Sequence, residues 1–445
     1  MPLPHLSRNV KSTHRGLQTF FVSDTIREDL LNRTAECYRL PPPETHVPLE
    51  VHVYDNLCPL DEPAESHAPN KIFGYPSTCF RATSKKDGQP YMLRRIHDFR
   101  LEDEQAMSAV KAWQHITHPN IVSLREAFTT KQFGDNSLVF VYDFHPTAVT
   151  LLQKHFVQDH SVLRPESMLW SYIAQIAAAL DTIHTNKLAA RILEPSKILV
   201  TGTNRIRLNG VSILDLMTWT HETDRATHAP GAEPSANAQM IAQLQQEDLL
   251  HFGQLIVSLA CGSLASLHHM QESLDLMVRQ YSPALRHMCM YLLSRPSPTK
   301  SMDDVMALIG PRILTEVSEL HLANDVMLQN LSAEVENGRL MRLITALGFI
   351  NERPVLGMDS QWSETGDRYI LKLFRDYVFH QCDDQGRPLL NFAHVLTCMN
   401  KLDAGIDEKI MLTSRDGQSC LVVAYREIKL CLEAALAELT SRIPN

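Results

Sequence analysis

The sequence has no C-x-x-C pair and no cluster of His and Cys, although it carries nine cysteines. That scatter excludes a readable zinc site or disulfide framework and points to reduced thiols in a cytosolic protein. There is no run of about 18 apolar residues, which excludes a membrane-spanning helix. The N-terminus lacks the basic, apolar and small-residue succession of a signal peptide. Basic residues number 42 against 51 acidic ones, and the formal charge of −9 argues against broad backbone-driven binding of nucleic acid, leaving room only for a local basic patch. The rest is ordinary, with 44% hydrophobic and 21% charged residues over 445 positions, the composition of a globular chain of two or three domains.

Residues 1–66 read as an N-terminal extension and linker. A short amphipathic helix is expected over 23–37, with Ser23-Asp24 as N-cap and Ile26, Leu30 and Leu31 on one face. It serves either to dock a partner or to pack on the next domain. Pro41-Pro42-Pro43 follows, and residues 59–69 have the Pro, Asp, Glu and Ser content of a linker. From 67 to 312 short β-branched and aromatic runs give way to helices. The pattern predicts a hairpin over 80–96 turning at Lys86-Asp87-Gly88, a helix over 101–116, a strand over 137–142 and a helix over 167–184. Residues 218–246 show little periodicity and read as a mobile loop before helices resume over 247–260.

Residues 313–352 carry a different pattern. Val317, Leu320, Met327 and Leu331 recur with Asn324 in the intervening slot, and a second set follows at Leu340, Leu343, Leu347 and Ile350. A short coiled coil with one buried Asn explains this spacing, because a core amide fixes register and strand number; an ordinary domain helix is the alternative. Gly338 is the expected place for a bend. Residues 353–445 read as a small, mainly helical domain with helices over 368–381, 390–402 and 421–439. Asp383-Asp384-Gln385-Gly386 lacks the alternating ligands of a calcium loop and reads as a plain turn.

Within 67–312 the order of parts matches a protein-kinase framework whose chemistry is missing. His118-Pro119-Asn120-Ile121-Val122 marks the segment after helix C. Arg94, in Tyr91-Met92-Leu93-Arg94-Arg95-Ile96, falls where the phosphate-pairing lysine belongs, and Ala109 stands in place of its glutamate partner. The run 138–144 matches the hinge between lobes, and 248–253 the start of a central buried helix. The catalytic His-Arg-Asp reads Ala190-Arg191-Ile192, the metal-binding Asp-Phe-Gly reads Gly210-Val211-Ser212, and Lys197 replaces the metal-binding asparagine. The glycine loop is reduced to Gly74-Tyr75-Pro76-Ser77-Thr78. Loss of a general base alone costs about 10²–10⁴-fold, so a kinase or ATPase is a weak alternative. Arg94 and Lys197, with the Ser196 hydroxyl beside the latter, still suit phosphate oxygens, which predicts ATP binding with weak or no metal dependence. The competing possibility is a pair of solvated charges beside a collapsed cleft. A third reading is direct RNA binding helped by Arg94, Arg95 and Arg100.

The order of parts also resembles one family. Glu334-Val335-Glu336-Asn337-Gly338-Arg339-Leu340, Ile350-Asn351-Glu352-Arg353-Pro354 and Gln361-Trp362-Ser363-Glu364-Thr365-Gly366-Asp367-Arg368-Tyr369 are similar to stretches of the regulatory pseudokinase subunit of the poly(A)-nuclease deadenylation complex. The resemblance implies an α+β, bilobal protein-kinase-like fold (a pseudokinase), then a dimerising coiled coil and a small mainly helical C-terminal knob. It implies a non-catalytic, cytoplasmic scaffold, also of P-bodies, that homodimerises and recruits the catalytic exonuclease subunit for poly(A)-tail shortening, including microRNA-mediated mRNA decay. Bound, unhydrolysed ATP is implied at Arg94, at Asp143, Phe144, His145, Pro146, Thr147, Ala148, Val149 and Thr150, and at Ser196 and Lys197. No catalytic residue and no protein-held metal are expected. GW-repeat silencing proteins are implied partners through a Trp pocket, whose walls the sequence does not assign. Poly(A)-binding protein is expected only through an N-terminal region that this sequence does not carry, as is the family's zinc finger. A weak poly(A) RNA contact completes the expected partners.

Overall fold

The computed structural model describes residues 22–41, 47–61, 72–101, 103–158, 163–202, 204–219, 236–297, 299–353, 361 and 364–441. The chain divides into two compact units, one over residues 29–319 and one built on residues 320–445.

Helix α1 (Asp24–Tyr38) begins beside Ser23, whose carbonyl accepts the Arg27 amide in the first turn of the helix, while its hydroxyl pairs with that of Thr25. Its expected apolar face is exposed, with Ile26, Leu30 and Leu31 uncovered; the end of the helix is held instead by polar bonds, the Arg81 guanidinium donating to the Cys37 carbonyl at 2.8 Å. Six antiparallel strands follow in the order β1-β2-β3-β4-β6-β5: β1 (Glu50–Val51), β2 (Tyr54–Pro59), β3 (Ser77–Ser84), β4 (Pro90–Ile96), β5 (Leu124–Thr130) and β6 (Ser137–Asp143). The kinase-like unit therefore starts before residue 67, because β1 and β2 continue its sheet. Pro59 closes a strand, where its missing N–H costs little, and most of the expected linker lies outside the described residues. The hairpin over 80–96 forms as expected around Gly88, which adopts a positive φ of 69°.

Alternation along β4 sorts the two faces of the sheet. Leu93 packs with Phe80, Val139 and Val141 on one side. Met92 and Ile96 face the main core, and Arg94 shares their side. Helix α2 (Met107–Gln114) is shorter than the predicted 101–116, being preceded by a 3₁₀ turn at Glu104–Ala106.

The larger lobe is built on α3 (Glu166–Thr185), which buries Leu169, Ile173, Ile176, Leu180 and Ile183 at helical spacing. Strands β7 (Val149–Thr150), β8 (Ile198–Val200) and β9 (Ile206–Leu208) form a second sheet, and α4 (Ile213–Met217) follows. Helix α5 runs over Ala236–Cys261, so the segment expected as loop to 246 is helical from 236; residues 220–235 of it lie outside the described residues. Gly253 of α5 meets α7 so closely that a Cβ would stand 2.9 Å from the Leu292 Cβ. Helices α6 (Met270–Gln280) and α7 (Pro283–Leu293) complete this core.

Helix α8 (Met302–Asn351) crosses the expected boundary at 312 and carries Pro311 internally. Proline reads as a terminator in sequence, yet burial of Met302, Val305 and Ile309 in the first core outweighs the lost hydrogen bond. The helix also continues through Gly338, the expected place for a bend. Its two apolar sets have different fates. Leu340, Leu347 and Ile350 are buried in the core of their own C-terminal unit, so they are not a seam; Leu320, Met327 and Leu331 are 60%, 70% and 58% exposed. In that unit α9 (Gly366–Phe379), α10 (Phe392–Ala404) and α11 (Tyr425–Ser441) surround a hairpin of β10 (Lys409–Thr413) and β11 (Cys420–Ala424). The helix predicted over 421–439 thus begins as a strand, because Val422-Val423 is β-branched and residues 420–423 alternate in exposure. The expected plain turn is present, with the Asp383 carboxylate accepting the Gln385 and Arg387 amides.

Candidate nucleotide site

The turn that would display a catalytic base is intact, although the base is gone. Arg191 adopts a positive φ of 60°, and the fully buried Asp248 of α5 fixes the turn by accepting the amides of Ala190 and Arg191, both at 2.7 Å, and the His184 ring at 3.0 Å. Ile192, at the base position, is buried and offers no proton acceptor. Helix α2 is tied down by a substitute linkage. Ala109 gives Arg94 no carboxylate, but the Trp113 indole donates to Asp215 at 2.6 Å, and the other oxygen of Asp215 takes Arg191 at 3.1 Å. Burial pushes the Asp215 carboxyl above its ordinary value.

The structure brings together two predicted phosphate ligands. Arg94 is 7% and Lys197 5% exposed, and neither makes an ion pair among the described residues. Arg94 Nε is buried without a hydrogen-bond partner. Burial, and then the Arg94 charge, draw the Lys197 ammonium down to about 8. Between the two lies Phe73, a residue the sequence reading passed over. Its ring centre stands 5.0 Å from Lys197 Nζ and 5.8 Å from Arg94 Cζ. Gly210, at the lost metal position, has a φ of 90°, and a Cβ there would touch the Phe73 ring at 3.4 Å. Two buried cations converging on an aromatic face, with one donor orphaned, fit the phosphates of a nucleotide.

The remaining predicted contacts are spread along the hinge. Asp143 is clamped by Arg125 through Nε at 2.5 Å and Nη2 at 2.9 Å. Phe144, His145, Pro146 and Ala148 are half-buried, Thr147 is exposed with a positive φ of 58°, and Val149 and Thr150 pair with Val200 and Leu199 beyond Lys197. Ser196 instead lines a cavity of about 760 Å³ with Ile72, Leu152, Ile192, His251 and Leu255, beside the Arg94–Lys197 pair rather than on it. The expected RNA-contacting trio does not form one basic surface. Arg94 is buried, and Arg95 pairs with Asp135 at 2.8 Å and stacks on Phe133. Among the described residues no group of His, Cys, Asp and Glu is arranged to hold a metal, and no helix is long and apolar enough to cross a membrane.

The chain is similar to known proteins over most of its length. Residues 73–220 match the protein kinase domain family and residues 302–439 the Pan3 C-terminal knob domain. The PAN2-PAN3 deadenylation complex subunit pan3 of Dictyostelium discoideum is 45% identical over 99% of this chain and 58% of its own length. The human subunit PAN3 is 42% identical over 95% of this chain and 49% of its own length. The chain thus spans about half the length of these curated relatives. Among solved structures, Neurospora crassa PAN3 (pseudokinase and C-term) in complex with PAN2 (WD40-CS1) is 39% identical with a TM-score of 0.80, covering 94% of this chain and 100% of that one. The Drosophila melanogaster PAN3 pseudokinase is 44% identical with a TM-score of 0.75, covering 88% of this chain and 100% of its own.

Proposed function

The chain belongs to the PAN3 family, and from that premise we propose that it is the non-catalytic subunit of a poly(A)-nuclease deadenylase, an ATP-binding scaffold that homodimerises and brings the catalytic exonuclease to mRNA. The observation that carries this reading is a catalytic turn kept in place by Asp248 while its base position holds buried Ile192 and its metal position holds Gly210. Phosphoryl transfer needs those carboxylates, whereas binding needs only cations and a cleft. Arg94 and Lys197 supply the cations for the ATP phosphates. When bound, the nucleotide supplies the counter-charge that these two side chains lack. Homodimerisation through α8 is supported by the exposed residues Leu320, Met327 and Leu331 and by Asn324 between them. Leu314, Leu322 and Val326 on the same helix offer apolar surface for partner Trp side chains, as GW-repeat silencing proteins would present. The C-terminal unit, through its likeness to the knob family, is the proposed seat of the exonuclease subunit, acting in the cytoplasm and in P-bodies.

Calorimetric titration with ATP, with and without Mg²⁺, on the wild-type chain and Arg94→Ala tests the nucleotide arm; light scattering at micromolar concentration tests the dimer. Saturable ATP binding lost in Arg94→Ala, without product formation, and a dimeric mass are expected. A monomer that binds no nucleotide overturns the reading.

A further inference from the structure

Three guanidinium groups meet behind the hinge turn, away from Arg94 and Lys197. Arg205 and Arg207 are two residues apart at β9 and therefore share a face of the strand. Both donate to the Pro119 carbonyl, Arg205 Nη2 at 3.3 Å and Arg207 Nη1 at 2.5 Å. Arg207 Nε also donates to Thr201 Oγ1 at 3.3 Å, while Arg33 of α1 donates from Nη2 to the Thr201 carbonyl at 3.2 Å. The three forks thus centre on two neighbouring backbone carbonyls.

Negative charge at this point is scarce. Asp29 pairs with Arg33 at 2.9 Å, and the nearby Asp143 is already clamped by Arg125. Neither Arg205 nor Arg207 has an ion-pair partner among the described residues, and Arg205 Nε is buried with no hydrogen-bond partner. Each fork carries five N–H donors, so most of them are uncommitted. Burial, and then the charges of Arg207, Arg205 and Arg33 against that of Asp143, hold the His145 imidazole down to about 4 and hence neutral beside them. Burial and Arg205 lower Arg207 as well. Gathering like charges is unfavourable unless an anion completes the set.

We propose that Arg33, Arg205 and Arg207 form a recognition site for a phosphorylated serine or threonine of a partner polypeptide. Planar forks bind phosphate oxygens in pairs, and a cluster of them is a common means of reading a phosphomonoester. The geometry favours a monoester over RNA. A monoester carries about −1.5 to −2 charge on one tetrahedral centre, matching forks gathered around the Pro119 and Thr201 carbonyls. A nucleic-acid strand spreads single charges along a line and is held by a basic track, which a chain of net charge −9 with Arg94 buried and Arg95 paired does not offer here.

The test uses the full chain titrated with three probes: N-acetyl-O-phosphoserine amide, its unphosphorylated counterpart and a 5′-hydroxyl oligoadenylate. Binding is followed by calorimetry and by the His145 ring signals in NMR. The phosphoserine probe is expected to bind saturably and to move the His145 signals, and the unphosphorylated probe to do neither. Arg205→Gln with Arg207→Gln should weaken binding by about tenfold or more, and Arg94→Ala should leave it unchanged, which separates this site from the nucleotide cleft. Should the double variant lose its fold, Arg205→Lys, which keeps the charge and removes the fork, is expected to weaken binding severalfold at wild-type thermal stability. Phosphoserine binding equal in wild type and Arg205→Lys, or no binding at all, overturns the proposal. So does arginine-dependent binding of the oligoadenylate without any of phosphoserine, which would make the cluster an RNA contact.

Discussion

Replacing Phe73 with leucine separates packing from counter-charge at the nucleotide site. The ring is 4% exposed and lies 5.0 Å from Lys197 and 5.8 Å from Arg94. A cation–π contact contributes about 0.5–1 kcal/mol at exposed sites and about 2 kcal/mol when desolvated; with both cations buried, the two together amount to about 2–3 kcal/mol. Leucine retains most of the apolar burial and so avoids the loss of about 3–5 kcal/mol expected for a full truncation to alanine. The variant should therefore lose about 2–3 kcal/mol of stability without ligand. If ATP binds as proposed, with its phosphates taking the ring's place over both cations, the same contacts count in the opposite direction. Relieved of that competition, the variant should bind ATP at least about tenfold more tightly, tenfold being equivalent to about 1.4 kcal/mol. Denaturant unfolding with and without ATP, alongside calorimetric titration, reads both quantities. Saturating nucleotide should restore about 2.7 kcal/mol at a hundredfold excess over Kd. A variant that loses stability but binds ATP no better than wild type would show that ring and phosphates occupy different places, and the reasoning would fail.

Two further outcomes follow from the same region. Asp248→Ala strands the buried amides of Ala190 and Arg191 and the His184 ring, each at about 1–3 kcal/mol, so a loss of about 3–9 kcal/mol in denaturant unfolding is expected; a change under about 1 kcal/mol would refute the role given to this carboxylate. Lys197 has a folded pKa drawn down to about 8, below its ordinary value of 10.5, so the folded chain releases its proton first and ligand-free stability should rise between those two pH values, a slope absent in Lys197→Met. ATP affinity should fall over the same rise in pH as the ammonium is lost, and Lys197→Arg should remove that dependence; affinity independent of pH in the wild-type chain would refute the contact.

Periodicity and spacing were legible wherever one short segment carries the signal. The 80–96 hairpin, α3 and β6 follow from alternation or helical repeats within a single run, and Arg94 and Lys197 follow from their distance to neighbouring motifs. What was not legible depends on contacts between distant segments. Phe73 meets Arg94, Lys197 and Gly210 only in the folded chain, and these lie far from it in sequence; the faint signal was an apolar Ile72-Phe73 pair ahead of Gly74. Arg33, Arg205 and Arg207 come from α1 and β9, more than a hundred residues apart, so no window contains them together. Polar residues at 236–246 hid the first turns of α5, whose early part is largely exposed. Pro311 suggested a boundary inside α8 because local backbone chemistry opposes a helix there, while burial on the flanking turns decides the outcome. The second apolar set of α8 has the spacing of a seam, and spacing alone does not distinguish a partner helix from the core of the same chain.

On the proposed reading, the substitutions that remove phosphoryl transfer would also suit the site to phosphate without a metal. A catalytic cleft keeps acidic ligands beside its lysine, and a divalent ion reconciles those ligands with the phosphates. Here Gly210 removes one acidic ligand and Lys197 puts a cation where a neutral metal ligand belongs, so positive charge is part of the chain itself. That arrangement costs stability when the cleft is empty, as the lowered Lys197 pKa reflects. Phe73 offsets part of the cost by offering both cations its ring face, and Gly210 leaves room for that ring. The linkage through Trp113, Asp215 and Arg191 meanwhile holds α2 without the ion pair that Ala109 cannot make. On the proposed reading, nucleotide would exchange this internal aromatic contact for an external anion, while the turn held by Asp248 keeps its place.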